Sequence, residues 1–297
     1  MIHLVARLIR SRPVREVMAL SALIDRNNIG LIAAGIGFFA TLSVFPALAV
    51  LVLLWSLFFD PEQITATLAL SQDVVPAQVF TVFSDGLTNL INAGSSETLT
   101  FATILSFLFA LWSARSGVSA LIRGLNAVHG LPHRGNTLMR YVQAIVLTLS
   151  IAGTVVVAIA AIVVVPILQA FLPQGAISSG LAEAARWGAA LFSIIVALGL
   201  VYRLGPNFRD RPRPGWISPG ALLASALWLT VSLGFSFYLQ NFANYNEVYG
   251  SIGAAVALLM WFYLSAYVVL LGGALNARLM RRDAHARRLA QGRTSSA

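Results

Sequence analysis

Long runs without a charged residue constrain this chain more than any other feature of its sequence. Asn27 to Phe59 is an uninterrupted run of 33 uncharged residues, and Tyr141 to Ala182 is a second run of 42. Roughly 20 apolar residues in a helix cross a bilayer core of about 30 Å. Only 10% of all residues are charged, against roughly 25% in soluble domains. The sequence therefore predicts an all-α, polytopic membrane protein.

Six membrane-spanning helices are predicted, separated by charged, proline-rich or glycine-rich connections. They lie at about residues 29–59, 99–121, 141–171, 181–202, 217–239 and 250–277. The first run also has the lettering of a cleaved signal peptide, with small residues at Ala47 and Ala49. Because the apolar run continues to Phe59, an uncleaved anchor is favoured.

The remaining segments are assigned by their charges. Residues 1–28 are predicted to be a cytoplasmic segment, and residues 29–280 form the transmembrane domain. Residues 281–297 form a basic cytoplasmic tail. Within the domain, residues 60–98 are acidic and contain an apolar pattern at helical spacing. That segment is predicted to be an amphipathic helix, lying either on the outer interface or as a cap on the helix bundle.

The distribution of arginine predicts the orientation. The net charge is +9, and this topology places 19 of the 20 arginines at or near the inner face, with Arg186 outside. Seven of the 11 acidic residues fall outside. This asymmetry predicts that both termini are cytoplasmic. Because the arginines lie between apolar runs and not on one face, no nucleic-acid partner is expected, and membrane lipids are the expected partners.

Small residues cluster in the first and last predicted spans. Their spacing is typical of helices whose backbones pack closely, and a mobile gate is the less favoured interpretation. The candidate helix-packing residues are Gly35, Gly37, Gly250, Gly253, Gly272 and Gly273.

A polar ridge runs along the second helix, where Arg115, Ser119, Arg123 and Asn126 recur at helical spacing. A charge in the hydrocarbon region is costly, so Arg115 either faces the bundle interior or extends to the inner headgroups. In the first case its guanidinium is expected to hold an anionic group such as a lipid phosphate. Arg115, Ser119 and Asn126 are therefore candidate substrate contacts.

Polar residues also lie at both ends of the last span. Near its outer end they are interfacial anchors or a substrate-contacting rim, and near its inner end Asn276 predicts a hydrogen bond between helices or a ligand contact. The outer candidates are Asn244, Tyr245, Asn246 and Tyr249.

Catalytic motifs are absent from the sequence. There is no cysteine, no phosphate-binding glycine loop, no GxSxG and no HExxH. The four histidines and the cytoplasmic acids are scattered, so no metal site and no cofactor are expected. An ordinary hydrolase or an ATP-driven pump within this chain alone is disfavoured.

Several phrases resemble the YihY/BrkB family, in the same order from about residue 30 to 280. They include the stretches 34–39, 42–46, 111–118, 121–126, 202–207, 244–251 and 261–263. The resemblance implies a six-span protein of the bacterial inner membrane. It also brings an old ribonuclease BN label for transfer-RNA processing, a virulence-associated name and a proposed role in moving envelope lipid precursors. It supplies no catalytic residue, and Ala274 stands where the family commonly has glutamate.

The expected function is non-enzymatic export or flipping of an anionic lipid-like or small molecule. A ribonuclease and a scaffolding membrane protein are the alternatives. The oligomeric state is not determined by the sequence.

Overall fold

Helices account for nearly all of the chain that the structure describes. The computed structural model describes residues 12–56, 97–132, 137–170, 176–209, 211–241 and 245–294. Seven helices and no strand occur in these ranges, which confirms the all-α class. In chain order they are α1 Arg12–Arg26, α2 Ile29–Ser56, α3 Glu97–His129, α4 Thr137–Ala170, α5 Ala176–Leu204, α6 Pro219–Asn241 and α7 Tyr245–Thr294.

Helices α2 to α7 overlap the six predicted spans in order. Three of the described helices contain a stretch long and apolar enough to cross a membrane, and the bent pair of α1 and α2 would add a fourth. The three stretches are Thr137–Thr154, Pro219–Tyr238 and Ala255–His285. The number of spans and the side of each terminus stay predictions. The predicted outer segment lies outside the described residues, except that its last two residues begin α3.

Helix α1 lies in the segment 1–28, where no helix is predicted. Its apolar residues Val17, Leu20 and Ile24 recur at helical spacing, a pattern that a search for long apolar runs overlooks. The helix ends before Asn28, which has a left-handed φ of 49°, a conformation that asparagine tolerates better than most residues. The Asn28 carbonyl accepts the Ile32 amide at 3.1 Å and so begins α2. The two helices meet at a 61° bend.

Helix α3 continues past the predicted span and ends in a Schellman motif. Gly130 has a φ of 62°, which costs glycine little because it lacks a Cβ. The Leu131 amide donates to the Asn126 carbonyl at 2.9 Å, and the Gly130 amide donates to the Ala127 carbonyl at 3.0 Å. These two bonds satisfy carbonyl groups that the end of the helix would otherwise leave unpaired.

The chain divides into two units. Unit 1 consists of Met1–Ala34, Val118–Gly234 and Leu264–Ala297, and unit 2 of Gly35–Gly117 and Phe235–Tyr263. Unit 1 has a core of fully buried side chains from five helices, which comprises Ile29, Leu125, Val128, Leu147, Tyr202 and Leu270. Within this unit α4 packs on α3 and α5, because Ala144 and Leu147 contact Ile122 and Leu204.

Unit 2 contains close contacts between helices. A Cβ at Gly37 would lie 3.0 Å from the Tyr263 backbone nitrogen, whereas a Cβ at Gly35 would have no atom within 4 Å. The Phe39 and Trp112 rings meet edge to face, with centroids 6.1 Å apart. Helix α3 also presents many large apolar side chains at its surface, as expected of a face in contact with lipid. The exposed residues are Phe101, Ile104, Leu105, Phe107, Leu108, Phe109 and Trp112.

Candidate functional site

The connection between α5 and α6, residues 205–218, is held in unit 1 by side chains from other helices. At its start the buried Asn126 of α3 accepts a 2.8 Å hydrogen bond from the Asn207 amide through Oδ1. The Asn207 side chain donates in turn to the Pro132 carbonyl at 3.2 Å. These contacts join residues 81 and 75 positions apart in the sequence. Buried polar groups therefore fix the first part of the loop.

Helix α4 holds the same end of the loop. The Gln143 side-chain nitrogen donates to the Leu204 carbonyl at 2.8 Å and to the Gly205 carbonyl at 2.6 Å. Both carbonyls lie at the end of α5, where a helix leaves acceptors without intrahelical partners. Gln143 thus acts as a cap supplied by a neighbouring helix.

The far end of the loop is held by Asn276 of α7. Asn276 Oδ1 accepts from the Gly220 amide at 2.8 Å, and its Nδ2 donates to Ser218 Oγ at 2.9 Å. Ser218 also caps α6, since its Oγ accepts the Ala221 amide at 3.2 Å, and Pro219 occupies the first helical position. The start of α6 is therefore tied to α7.

Glycines allow α6 and α5 to approach α7 at this point. A Cβ at Gly272 would overlap the hydroxyl oxygen of Tyr202 and the carbonyl oxygen of Gly220, and a Cβ at Gly273 would lie 2.5 Å from Leu125 Cδ2. Tyr202 is fully buried and donates to the Val269 carbonyl at 2.8 Å. The backbone packing in this region leaves no space for a larger side chain at Gly272.

Arg203, in the last turn of α5, is held by the middle of the loop. Its Nη1 donates to the Pro214 carbonyl at 3.0 Å, and its guanidinium carbon lies 4.7 Å from the centroid of the Trp216 ring. This is cation–π geometry. The Trp216 backbone packs on α5, because a Cβ at Gly199 would lie only 2.9 Å from the Trp216 carbonyl oxygen.

A cavity of about 530 Å³ lies between α4 and this loop. One wall is formed by α4, mainly by apolar side chains, and the other includes three arginines, Arg203, Arg209 and Arg213. The α4 wall consists of Met139, Val142, Gln143, Val146 and Leu147, and Leu204, Pro206, Asn207 and Phe208 complete the lining. None of these described lining residues is acidic, while Asp210 lies outside the described residues.

Arg209 has a left-handed backbone, with φ of 47°. This conformation is costly for a long side chain and persists only where the surroundings impose it. The Arg211 amide donates to the Phe208 carbonyl at 2.8 Å across this residue. Arg209 lines the cavity in this backbone conformation.

His129 of α3 packs against Phe208 of the loop. It lies beyond Leu121, where the second span is predicted to end. Its Nδ1 donates to the Leu125 carbonyl at 2.8 Å, and its ring meets the Phe208 ring edge to face at 5.2 Å. Burial lowers the pKa of the His129 imidazole from 6.5 to about 4, and the charge of Arg281 contributes in the same direction. His129 is therefore neutral near pH 7.

The arrangement can bind an anion attached to an apolar group. Guanidinium groups match the oxygens of phosphate or carboxylate, and the α4 wall offers a surface for methylene groups. In the described part of the chain, no three His, Cys, Asp or Glu residues lie close enough to hold a metal ion.

The sequence-predicted site residues are dispersed. Asn126 and Asn276 hold the two ends of the loop, while the half-buried Arg115 belongs to unit 2 and the half-buried Ser119 to unit 1. Tyr245, Asn246, Tyr249 and Gly250 are in the first turns of α7, with side chains outside the described residues, and Gly253 is half-buried in the same helix. Asn244 lies outside the described residues altogether.

The cavity arginines and Gln143 are not among the sequence-predicted site residues. The repeated arginine in the segment 203–216 could have indicated them, but positive charge beside a membrane span is typical of topology determinants. Gln143 lies in a long apolar run, and nothing in its sequence context distinguishes it.

Known proteins resemble the chain over nearly its whole length. The family described as "Virulence factor BrkB" matches residues 21–296. The chain belongs to the BrkB family. One relative of this BrkB-family protein is the "Putative ribonuclease-like protein YfkH" of Bacillus subtilis, 30% identical over 84% of this chain and 90% of the relative.

Other relatives of the BrkB-family protein are named only as membrane proteins. UPF0761 membrane proteins of Xanthomonas campestris and Xanthomonas axonopodis are 44% identical over 84 residues. This match covers 28% of the chain and only 19% of each Xanthomonas protein. No solved structure matches the chain.

Proposed function

We propose that this protein binds an anionic amphiphilic molecule of the cell envelope and moves it across the inner membrane, without itself being an enzyme. The observation that carries the proposal is the 530 Å³ cavity with an apolar wall on α4 and three arginines opposite. A volume of this size is within the range of roughly 300–1,000 Å³ found for small-molecule sites. It has room for a charged headgroup and the first methylene groups of a chain.

Preorganisation of the cavity supports a binding role. Asn126, Gln143 and Asn276 fix the backbone on both sides of Arg209 and Arg213. The two ends of this stretch are therefore held before any ligand binds, and ligand binding need not offset the entropy of ordering them.

The test is reconstitution of the purified protein into vesicles containing a fluorescent anionic lipid, with a fluorescent zwitterionic lipid in parallel. We expect wild-type protein to accelerate movement of the anionic lipid between leaflets. The double substitution Arg209→Ala and Arg213→Ala should reduce that acceleration at least tenfold. Arg211→Ala is the matched control, because Arg211 is exposed in the same loop and is not part of the cavity lining.

Movement at the rate of protein-free vesicles for anionic lipids of different headgroups would contradict the proposal. Equal loss of movement in the double variant and in Arg211→Ala would contradict the assignment to the cavity, because both changes lower the basic charge of the loop. Ser119 is one further candidate contact, and Arg115 is another. Full movement of the anionic lipid with Arg115→Ala and with Arg115→Lys would exclude Arg115 as a contact.

The proposed topology has six spans, an inner-membrane location and both termini in the cytoplasm. Nineteen of the 20 arginines lie at or near the inner face in this arrangement, which supports it. A reporter that works only in the cytoplasm should be active when it is fused after Arg293. Activity of a reporter that works only in the exported compartment would contradict the orientation.

Ribonuclease activity is the second candidate function, and the printed name of the YfkH relative favours testing it. The purified protein should be incubated with transfer RNA precursors, with and without divalent cations. We expect no cleavage above that of a preparation from cells lacking the protein. Cleavage that copurifies with the chain would replace the transport proposal.

A further inference from the structure

The three cavity arginines differ in how firmly they are held. Arg203 is half-buried, hydrogen-bonded to the Pro214 carbonyl at 3.0 Å and stacked against Trp216 at 4.7 Å. Arg209 and Arg213 are exposed. A guanidinium group has five N–H donors in a planar fork, and the bond to Pro214 engages one of them. Arg203 is thus oriented before any ligand arrives.

Orientation and charge make different contributions to binding an anion. Exposed arginines attract it through a field that salt screens within about 8 Å. A fixed guanidinium recognises shape, because its parallel N–H groups match two oxygens of a phosphate or carboxylate. A lysine retains the charge but neither stacks as a plane nor offers the fork. Replacement by lysine therefore separates the two contributions.

Phosphate fits the complete lining better than carboxylate does. Three arginines line one cavity, and none of its described lining residues is acidic. A carboxylate has two oxygens and one charge, which a single arginine can satisfy. A phosphate ester presents more oxygens in a tetrahedral arrangement and carries up to two charges. It can contact Arg203 through two oxygens while the other arginines face the remaining ones.

The surroundings indicate that the phosphate belongs to a lipid. Trp216 and Ile217, near the end of the loop 205–218, are 52% and 68% exposed. Tryptophan at such a position is typical of the level of the lipid headgroups. On α4 the side chains of Val142 and Val146 line the cavity and are also exposed at the protein surface. A headgroup in the cavity would thus leave its chains in the surrounding bilayer.

We infer that Arg203, held between Pro214 and Trp216, is the residue that recognises the phosphate of a phosphate-bearing lipid. Arg209 and Arg213 attract the same ligand through their charge. This inference rests on the proposed function for the location of the site and adds the ligand class and the specificity-determining residue. It assigns the recognition to the planar fork of Arg203, and not to the net charge of the loop.

The experiment measures binding by the full-length protein in lipid nanodiscs made from zwitterionic lipid. The probes are dioctanoyl phosphatidic acid, octanoic acid and inorganic phosphate. Arg203→Lys should weaken binding of dioctanoyl phosphatidic acid at least tenfold, whereas Arg213→Lys should change it less than threefold. Octanoic acid and inorganic phosphate should each bind wild-type protein at least a hundredfold more weakly.

Trp216 supplies an independent control for folding and for the stacking contact. Trp216→Phe retains an aromatic face and should keep affinity for dioctanoyl phosphatidic acid within threefold of wild type. Trp216→Ala releases Arg203 and should weaken binding in the same direction as Arg203→Lys. Melting temperatures of the variants identify any change that unfolds the protein, and if Arg203→Lys does so, Trp216→Ala carries the comparison with Trp216→Phe and wild type.

Four results would overturn the inference. Equal effects of Arg203→Lys and Arg213→Lys would show that charge alone determines binding. Octanoic acid binding as tightly as dioctanoyl phosphatidic acid would exclude phosphate recognition, and inorganic phosphate binding as tightly would exclude a lipid. Binding with the expected pattern but without movement in vesicles would contradict only the proposed function. Movement that is insensitive to Arg203→Lys would contradict only this inference.

Discussion

Asn126→Ala tests whether the buried amide side chain at the end of α3 holds the loop 205–218 in place. Asn126 and Asn207 are each 3% exposed, and the Asn207 amide donates to Asn126 Oδ1 at 2.8 Å. Alanine removes the acceptor and leaves a buried N–H without its partner. Such a loss costs about 1–3 kcal/mol, and each 1.4 kcal/mol is a factor of about ten in an equilibrium. Local opening of the loop should therefore become roughly 5- to 150-fold more frequent.

Hydrogen–deuterium exchange followed by mass spectrometry measures this opening directly. Peptides that contain the Asn207 amide should exchange faster in Asn126→Ala by that factor, while peptides from α6 and α7 retain wild-type rates. Ser119→Ala is the matched control, because Ser119 is a half-buried polar residue in the same helix.

Unchanged exchange at Asn207 would refute the reasoning, since the amide would then not depend on Asn126. An equal increase in every helix of unit 1 would also refute it, because the substitution would then destabilise the whole unit and not the loop. If the loop alone opens, lipid binding should weaken together with the protection of Asn207.

Three further predictions concern packing and pH. Gly37→Ala should lower the melting temperature in detergent, because crowding the Tyr263 backbone costs about 1–3 kcal/mol. Gly35→Ala should leave the melting temperature unchanged or raise it, because its Cβ meets open space. Equal effects of the two substitutions would contradict the packing. Gly272→Ala should prevent accumulation of folded protein on size-exclusion chromatography, and a normal monodisperse peak would show that the helices can separate. Because the pKa of buried His129 is lowered to about 4, the unfolded chain takes up a proton near pH 6.5 and the folded protein does not. The free energy of unfolding should keep its full value above pH 6.5 and fall by about 3 kcal/mol towards pH 4. In denaturation experiments, His129→Gln should lose this part of the pH dependence.

Much of the fold could be predicted from local sequence. Uncharged runs of 33 and 42 residues determine helical membrane segments by length and composition. Helix α1 is not predicted, because a search for long apolar runs overlooks its short amphipathic pattern. The end of α3 at Gly130 and the start of α6 at Ser218 follow from local capping chemistry.

The candidate site could be predicted only in part. Asn126 and Asn276 are unusual enough in an apolar helix to be noticed, and Asn276 makes a hydrogen bond between helices, one of the two roles considered for it. Their partners, Asn207 and Gly220, were not predicted. The sequence does not show which backbone amide a buried asparagine will meet. Gln143 is not predicted because nothing in the long apolar run around it distinguishes it from its neighbours.

The sequence by itself determined the class of protein, the approximate extent of its helices and the predicted orientation, because length, apolarity and charge act locally or on each segment separately. It also carried the motifs of the BrkB family. Only the tertiary structure decided that Arg203, Arg209 and Arg213 share one cavity with the apolar face of α4. That juxtaposition depends on hydrogen bonds between residues that are 56 to 81 positions apart in the sequence. Side-chain packing selects such contacts, and the helical period of any one segment does not specify them.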